Sequence, residues 1–154
     1  MKYFAIALLS LFSLNLSAQY WQQKVDYTMN VELDAETADY SGSQKLIYTN
    51  NSPESLSKVF YHLYFNAFQP GSDMAIRLKN GGDRNGRFKI DLDSLNVFQS
   101  GYLKVSSLKQ NGKPVQIKES GTILEVILNE PILSGGSTVL ELDFKGHVLS
   151  LIHI

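Results

Sequence analysis

The sequence predicts an all-β protein: an antiparallel β-sandwich or saddle of about seven or more strands, with a long irregular excursion at 69–101. Three observations predict it. Apolar and polar residues alternate with period two in several segments, the spacing that gives a strand one dry and one wet face. Turn-forming Gly, Pro, Asn and Asp recur about every 8–12 residues. The composition is 44% hydrophobic and 11% aromatic with only 19% charged residues, too apolar for a disordered chain.

At the N-terminus, Lys2 precedes the apolar run Phe4–Leu14, which gives way to Asn15-Leu16-Ser17-Ala18. A positive start, about a dozen apolar residues and a small residue at the change of character predict a secretory signal peptide over 1–18. The run is short of the ~20 apolar residues that span a bilayer. Cleavage after Ala18 removes a single charge, Lys2, and leaves no membrane anchor. The expectation is an exported chain, periplasmic or secreted. The protein has no Cys, which excludes a lipid-anchoring cysteine and disulfides and fits a bacterial envelope.

In the following segment, Val25, Tyr27, Met29, Val31 and Leu33 alternate with Asp26, Thr28, Asn30 and Glu32, predicting a strand with one apolar face. A polar connector, Asp34–Asp39, leads to a second strand over Tyr40–Thr49, stopped by Asn50-Asn51-Ser52-Pro53. The two form an antiparallel pair. Lys58–Phe65 carries apolar or aromatic residues on both parities, which predicts a central strand covered on each side. From 69 to 101 regularity fades, and a short helix fits either Asp73–Lys79 or Leu92–Phe98. Tyr102–Lys109, Asn111-Gly112 and Pro114–Lys118 read as a hairpin, since Asn-Gly suits a tight turn with positive φ. Thr122–Leu128 and Thr138–Phe144 complete the strands, separated by a Pro131–Ser137 turn.

Reactive groups are sparse. The formal charge is −1, and no cluster of Lys and Arg offers a nucleic-acid surface. The three histidines, His62, His147 and His153, are not in H-E-x-x-H or at any i, i+4 spacing that would aim two imidazoles at a metal. His62, in an aromatic strand, reads as a hydrogen-bonded structural residue. No G-x-S-x-G elbow and no phosphate-cradling glycine motif occurs. Asp83-Arg84-Asn85-Gly86 has the start of a calcium loop without its later ligands, and reads as a solvated turn. Asp91 and Asp93 would share a face only in a strand, and an exposed face is expected. Trp21 with Tyr20 and Tyr27 offers a sugar-stacking platform or, more simply, a packed strand edge. No catalytic, cofactor-binding or metal residue is assigned.

The order of these motifs is more informative than any one of them. Tyr40-Ser41-Gly42, running into Leu46-Ile47-Tyr48-Thr49-Asn50-Asn51-Ser52, is followed by Leu56–Phe60 and His62–Gly71, then by Glu130-Pro131 to Gly135-Gly136 and Leu140–Gly146. This series, over about residues 22–147, resembles the N-terminal β-domain of aminopeptidase N-type zinc metallopeptidases (gluzincins), in the exported form found in Bacteroidota-type bacteria. That resemblance implies a domain, 19–148, that is inactive by itself and packs on a following catalytic domain. The family's G-x-M-E-N motif, its zinc-binding H-E-x-x-H with a later Glu, and its catalytic Tyr belong to that following domain, and no residue here matches them. Zinc and the peptide substrate are therefore expected only of an intact parent. Residues 149–154, Leu-Ser-Leu-Ile-His-Ile, depart from the family pattern and resemble translated sequencing adapter. The competing reading is a stand-alone secreted β-sandwich that binds glycans or envelope proteins, with 69–101 as its binding loop.

Overall fold

A computed structural model describes residues 20–81, 91–96 and 99–149. The predicted signal peptide at 1–18, the Asp83–Gly86 turn, and residues 150–154 with His153 lie outside the described residues. Eight strands follow one another: β1 (Lys24–Leu33), β2 (Asp39–Thr49), β3 (Leu56–His62), β4 (Tyr102–Gln110), β5 (Lys113–Pro114), β6 (Gln116–Ser120), β7 (Ile123–Ile132) and β8 (Ser137–His147). They form two sheets, β1-β2-β8-β4-β5 and β3-β7-β6, in which every pairing is antiparallel. The predicted all-β sandwich is the observed fold.

The core lies between the sheets. Leu46, Leu108, Leu140, Leu142 and Phe144 from the larger sheet meet Val59, Leu124, Val126 and Leu128 from the smaller one. These are the inward parities of the alternating segments, which is why period two located them. In the predicted 69–101 excursion, helix α1 (Asp73–Lys79) forms where Ser72 accepts a bond from the Ala75 N–H at 3.1 Å. Asp73 sits in its first turn and Arg77 and Lys79 in its last, each placed favourably for the helix dipole. A 3₁₀ turn follows at Leu92–Ser94, and Ala75, Leu92 and Leu95 bury together in a small satellite core that also contacts Leu149.

Three elements depart from the sequence expectation. β3 is not a central strand: it pairs only with β7, and its Phe60 is 60% exposed. It also stops at His62, because β7 begins at Ile123 and offers no partner beyond the Leu63 N–H bond to the Thr122 carbonyl. The chain turns instead into a 3₁₀ helix, Tyr64–Phe68. Buried Asn66 replaces the lost ladder: its carbonyl accepts from the Leu103 N–H at 2.8 Å, and its amide donates to Glu119 at 3.2 Å and to the Gly121 carbonyl at 3.4 Å.

The predicted hairpin around Asn111-Gly112 is real, with φ of 49° and 79° there. Only Lys109–Pro114 and Gln110–Lys113 pair, however. At Val115 the chain leaves the first sheet, and β6 joins β7 in the second. One segment thus makes a corner of the sandwich. Finally, β7 runs on through Pro131 to Ile132 where a turn is expected. The β3–β7 register breaks between Leu56 and Lys58, so the proline falls where the ladder is already irregular.

Candidate functional site

Two of the motif segments turn out to be packing devices. In the β2–β8 register Tyr40 lies opposite Gly146, and Gly42 lies opposite Phe144. Each aromatic ring covers the opposed glycine. A Cβ at Gly146 would run into the Tyr40 ring and the Tyr102 carbonyl, and one at Gly42 would meet the Phe144 ring at 2.7 Å. The two rings then meet each other at 6.2 Å, and the Tyr40 hydroxyl donates to the Tyr102 carbonyl at 3.3 Å. The aromatic-x-Gly pattern on both strands is therefore the imprint of a reciprocal lock.

Asn50 has a similar explanation. It is fully buried and ties four segments together. Its amide donates to the carbonyls of Glu54 (2.7 Å) and Ile132 (3.0 Å). Its oxygen accepts from the Ser52 N–H (3.0 Å), the Ser52 hydroxyl (2.6 Å) and Gln23 (3.0 Å). The main chain adds an N–H bond to the Gly136 carbonyl and a carbonyl bond from the Gly135 N–H. The Asn stop after β2 and the Gly-Gly turn before β8 are thus one junction.

The candidate chemical residues are scattered. His62 is exposed and stacks flat on Tyr64, with ring centroids 5.1 Å apart; among the described residues no hydrogen bond holds it, contrary to expectation. His147 is buried at the end of β8, where Nδ1 meets the Asp39 carboxylate at 2.9 Å and the ring stacks on Tyr102. No sequence pattern links Asp39 to His147, which are 108 positions apart; the β2–β8 register brings them opposite each other. Asp91 caps the 3₁₀ turn through the Asp93 N–H, while Asp93 accepts from the Gly71 N–H at 2.9 Å and pairs with Lys79. They are turn braces. Tyr20, Trp21 and Tyr27 are all exposed, and no ring contact joins them among the described residues.

The resolved electrostatic shifts follow from local contacts and burial. Backbone N–H groups of Thr37 and Glu36 hold the Asp34 carboxyl below its usual value, as the Gly71 N–H and Lys79 do for Asp93 and Lys58 does for Glu125. Burial, with Tyr102 nearby, pushes the Tyr40 phenol up to about 12, and burial also raises Tyr48 and Tyr61. Among the described residues no group of three His, Cys, Asp or Glu side chains could hold a metal ion. His147 holds Asp39 through Nδ1 and leaves Nε2 open, but among the described residues no set of three donors converges there.

The remaining surface feature is apolar. Tyr27, Met29, Val31 and Leu33 lie on the core side of β1 but beyond the reach of the three-stranded sheet, and each is 52–62% exposed. Tyr27 and Met29, with Phe60 and Tyr64, line an open trough of about 370 Å³ between β1 and β3. At its floor the Tyr61 hydroxyl and the Gln44 amide nitrogen are buried without hydrogen-bond partners. Such a surface suits contact with another protein layer.

The fold recurs within zinc metallopeptidases. An M1 zinc metallopeptidase from Deinococcus radiodurans superposes with a TM-score of 0.51 at 18% identity, over 81% of this chain and 20% of that one. A two-domain M1 zinc metallopeptidase mutant bound to L-arginine matches at the same TM-score and identity, over 86% of this chain and 23% of that one. A mutant of the Deinococcus enzyme bound to a Tyr-Ser-Ala substrate matches equally. At this identity the likeness is one of fold. The chain spans about a fifth of the length of the metallopeptidase chains it matches. No family model and no curated protein sequence matches it.

Proposed function

We propose that this chain is the exported N-terminal β-domain of a zinc aminopeptidase-like protein, a scaffold that does no chemistry by itself. The observation that carries the reading is the asymmetry of the structural likeness: over four-fifths of this chain corresponds to about one-fifth of an M1 zinc metallopeptidase. The motifs behind the family resemblance support it, because they fall on the Tyr40–Gly146 lock and the Asn50 junction, which build a fold. In this reading a catalytic domain of the same protein is the partner, and it brings the zinc, the general base and the peptide-binding groups. Export rests on the pattern of residues 1–18.

The test is direct. The purified chain, assayed with added zinc against aminoacyl-anilides, is expected to show no turnover above buffer. Turnover that disappears with His147→Ala would overturn the assignment of an inactive scaffold. The coding sequence downstream of codon 148 is expected to encode H-E-x-x-H within the next few hundred residues, and a frame without it would remove the metallopeptidase reading.

A further inference from the structure

A sandwich of two open sheets has four edge strands, and this one protects three of them. β5 is two residues long and contains Pro114. β3 is seven residues long, and its ladder to β7 shifts register between Leu56 and Lys58, with the extra residues on β7. β6 is five exposed residues with Lys118 at its centre and Glu119 next to it. Short length, irregularity and charge are the usual means by which an edge is kept from pairing. β1 is neither short nor irregular, and its three charged residues, Lys24, Asp26 and Glu32, all share the solvent face. Its ten residues pair with β2 without a break from Lys24–Thr49 to Leu33–Tyr40, it contains no proline, and its core-side residues are all apolar.

The same strand is self-complementary. Placed antiparallel to a second copy about Thr28, it sets Lys24 opposite Glu32 on the solvent face at both ends. Asp26 then faces Asn30, and Thr28 faces Thr28. On the core face Val25 meets Val31 and Tyr27 meets Met29. In this register no like charges oppose each other, and every apolar residue from Val25 to Val31 meets an apolar partner. The existing Lys24–Asp26 pair, 3.0 Å apart and largely exposed, is weak enough to share its lysine. The stripe from Tyr27 to Leu33 is on the order of 400 Å² per copy, the size of the largest patch on a typical monomer, which is often functional. With backbone edges included, two copies would bury about 1,000 Å² in total, the lower limit for a specific contact.

We infer that two copies of this chain associate through β1, doubling the five-stranded sheet across a two-fold axis at Thr28. The inference is independent of the metallopeptidase reading. The contact is weak, with a dissociation constant on the order of 10 μM. Sedimentation equilibrium of the full chain tests it. Lys24→Glu and Glu32→Lys each set like charges together at two symmetric places, and each is expected to weaken association about tenfold. The double variant K24E/E32K restores the opposite-charge pairs and is expected to return to within about threefold of the unmodified chain. Val31→Lys, a substitution at a half-exposed site that leaves the core intact, is expected to abolish the dimer. A chain that is monomeric at about 200 μM, association insensitive to both single swaps, or a double variant no better than either single one would each overturn the inference.

Discussion

Replacing Asn50 by Ala tests whether a residue from the recognised motif order is there for structure. Its side chain makes five hydrogen bonds, two donated and three accepted. Gln23 and the Glu54 carbonyl lie partly open, so water can replace Asn50 there. The Ile132 carbonyl and the N–H and hydroxyl of Ser52 are held in buried contacts. The Ser52 hydroxyl keeps the Glu54 carbonyl at 2.9 Å, so two buried polar groups lose a partner at about 1–2 kcal/mol each, and the substitution is expected to remove about 2–4 kcal/mol. That is a large share of the ~5–15 kcal/mol that stabilises a domain. In urea unfolding followed by tryptophan fluorescence from Trp21, it corresponds to a midpoint shift of roughly 2 M with an unchanged slope. Asn51→Ala is the internal control: its side-chain amide donates to the Gln22 carbonyl in an exposed bond, its main-chain N–H keeps the Gln23 side-chain oxygen, and less than about 1 kcal/mol should be lost. Equal effects at the two positions would refute the argument that burial makes Asn50 a junction.

The other expected outcomes follow from the same contacts. Gly146→Ala forces the Tyr40 ring off the opposing strand and should cost about 2–3 kcal/mol, measured by the same unfolding, whereas Gly121→Asn, at a turn with φ of 56° and open space around it, should cost well under 1 kcal/mol. Tyr61→Phe deletes a buried hydroxyl that has no partner, so stability should stay level or rise by up to about 1 kcal/mol; a loss larger than that would mean the hydroxyl is satisfied. Alkaline pH should destabilise the fold. Burial raises the folded pKa of Tyr40 to about 12 and also raises Tyr48 and Tyr61, above the value of 10 for a free phenol. The unfolded chain therefore loses protons first: the contribution is whole below pH 10 and falls as pH climbs toward 12. A melting temperature flat from pH 9 to about 12 would contradict this.

Local physics made much of the fold legible. Alternation marked β1, β2, β4, β7 and β8 because a residue's parity in a strand decides which face it occupies, whatever the strand's neighbours. The Asn111-Gly112 turn was legible because few residues accept positive φ twice in a row, whereas the sequence leaves the helix open between Asp73–Lys79 and Leu92–Phe98, and it forms at the first, capped by Ser72. The mixed parity of Lys58–Phe65 was misleading. Two apolar faces imply cover on both sides, but the strand stands at an edge and its aromatic second face lines a trough. A motif could be read along the chain, while its purpose could not. Tyr40-Ser41-Gly42 and Phe144-Lys145-Gly146 acquire meaning only when the strands run antiparallel in one register.

By itself the sequence determined the period-two segments, their inward residues, the tight turns and the lack of any metal-ligand or nucleophile motif. These depend on contacts within a few residues or on composition. Only the tertiary structure decided that β8 inserts between β2 and β4, that Val115 is a corner, that Asp39 meets His147, and that β1 overhangs its partner sheet. Each of those depends on which distant segments share hydrogen bonds. Backbone N–H and C=O groups are the same at every position, so the chain does not mark its partners locally; global packing selects them.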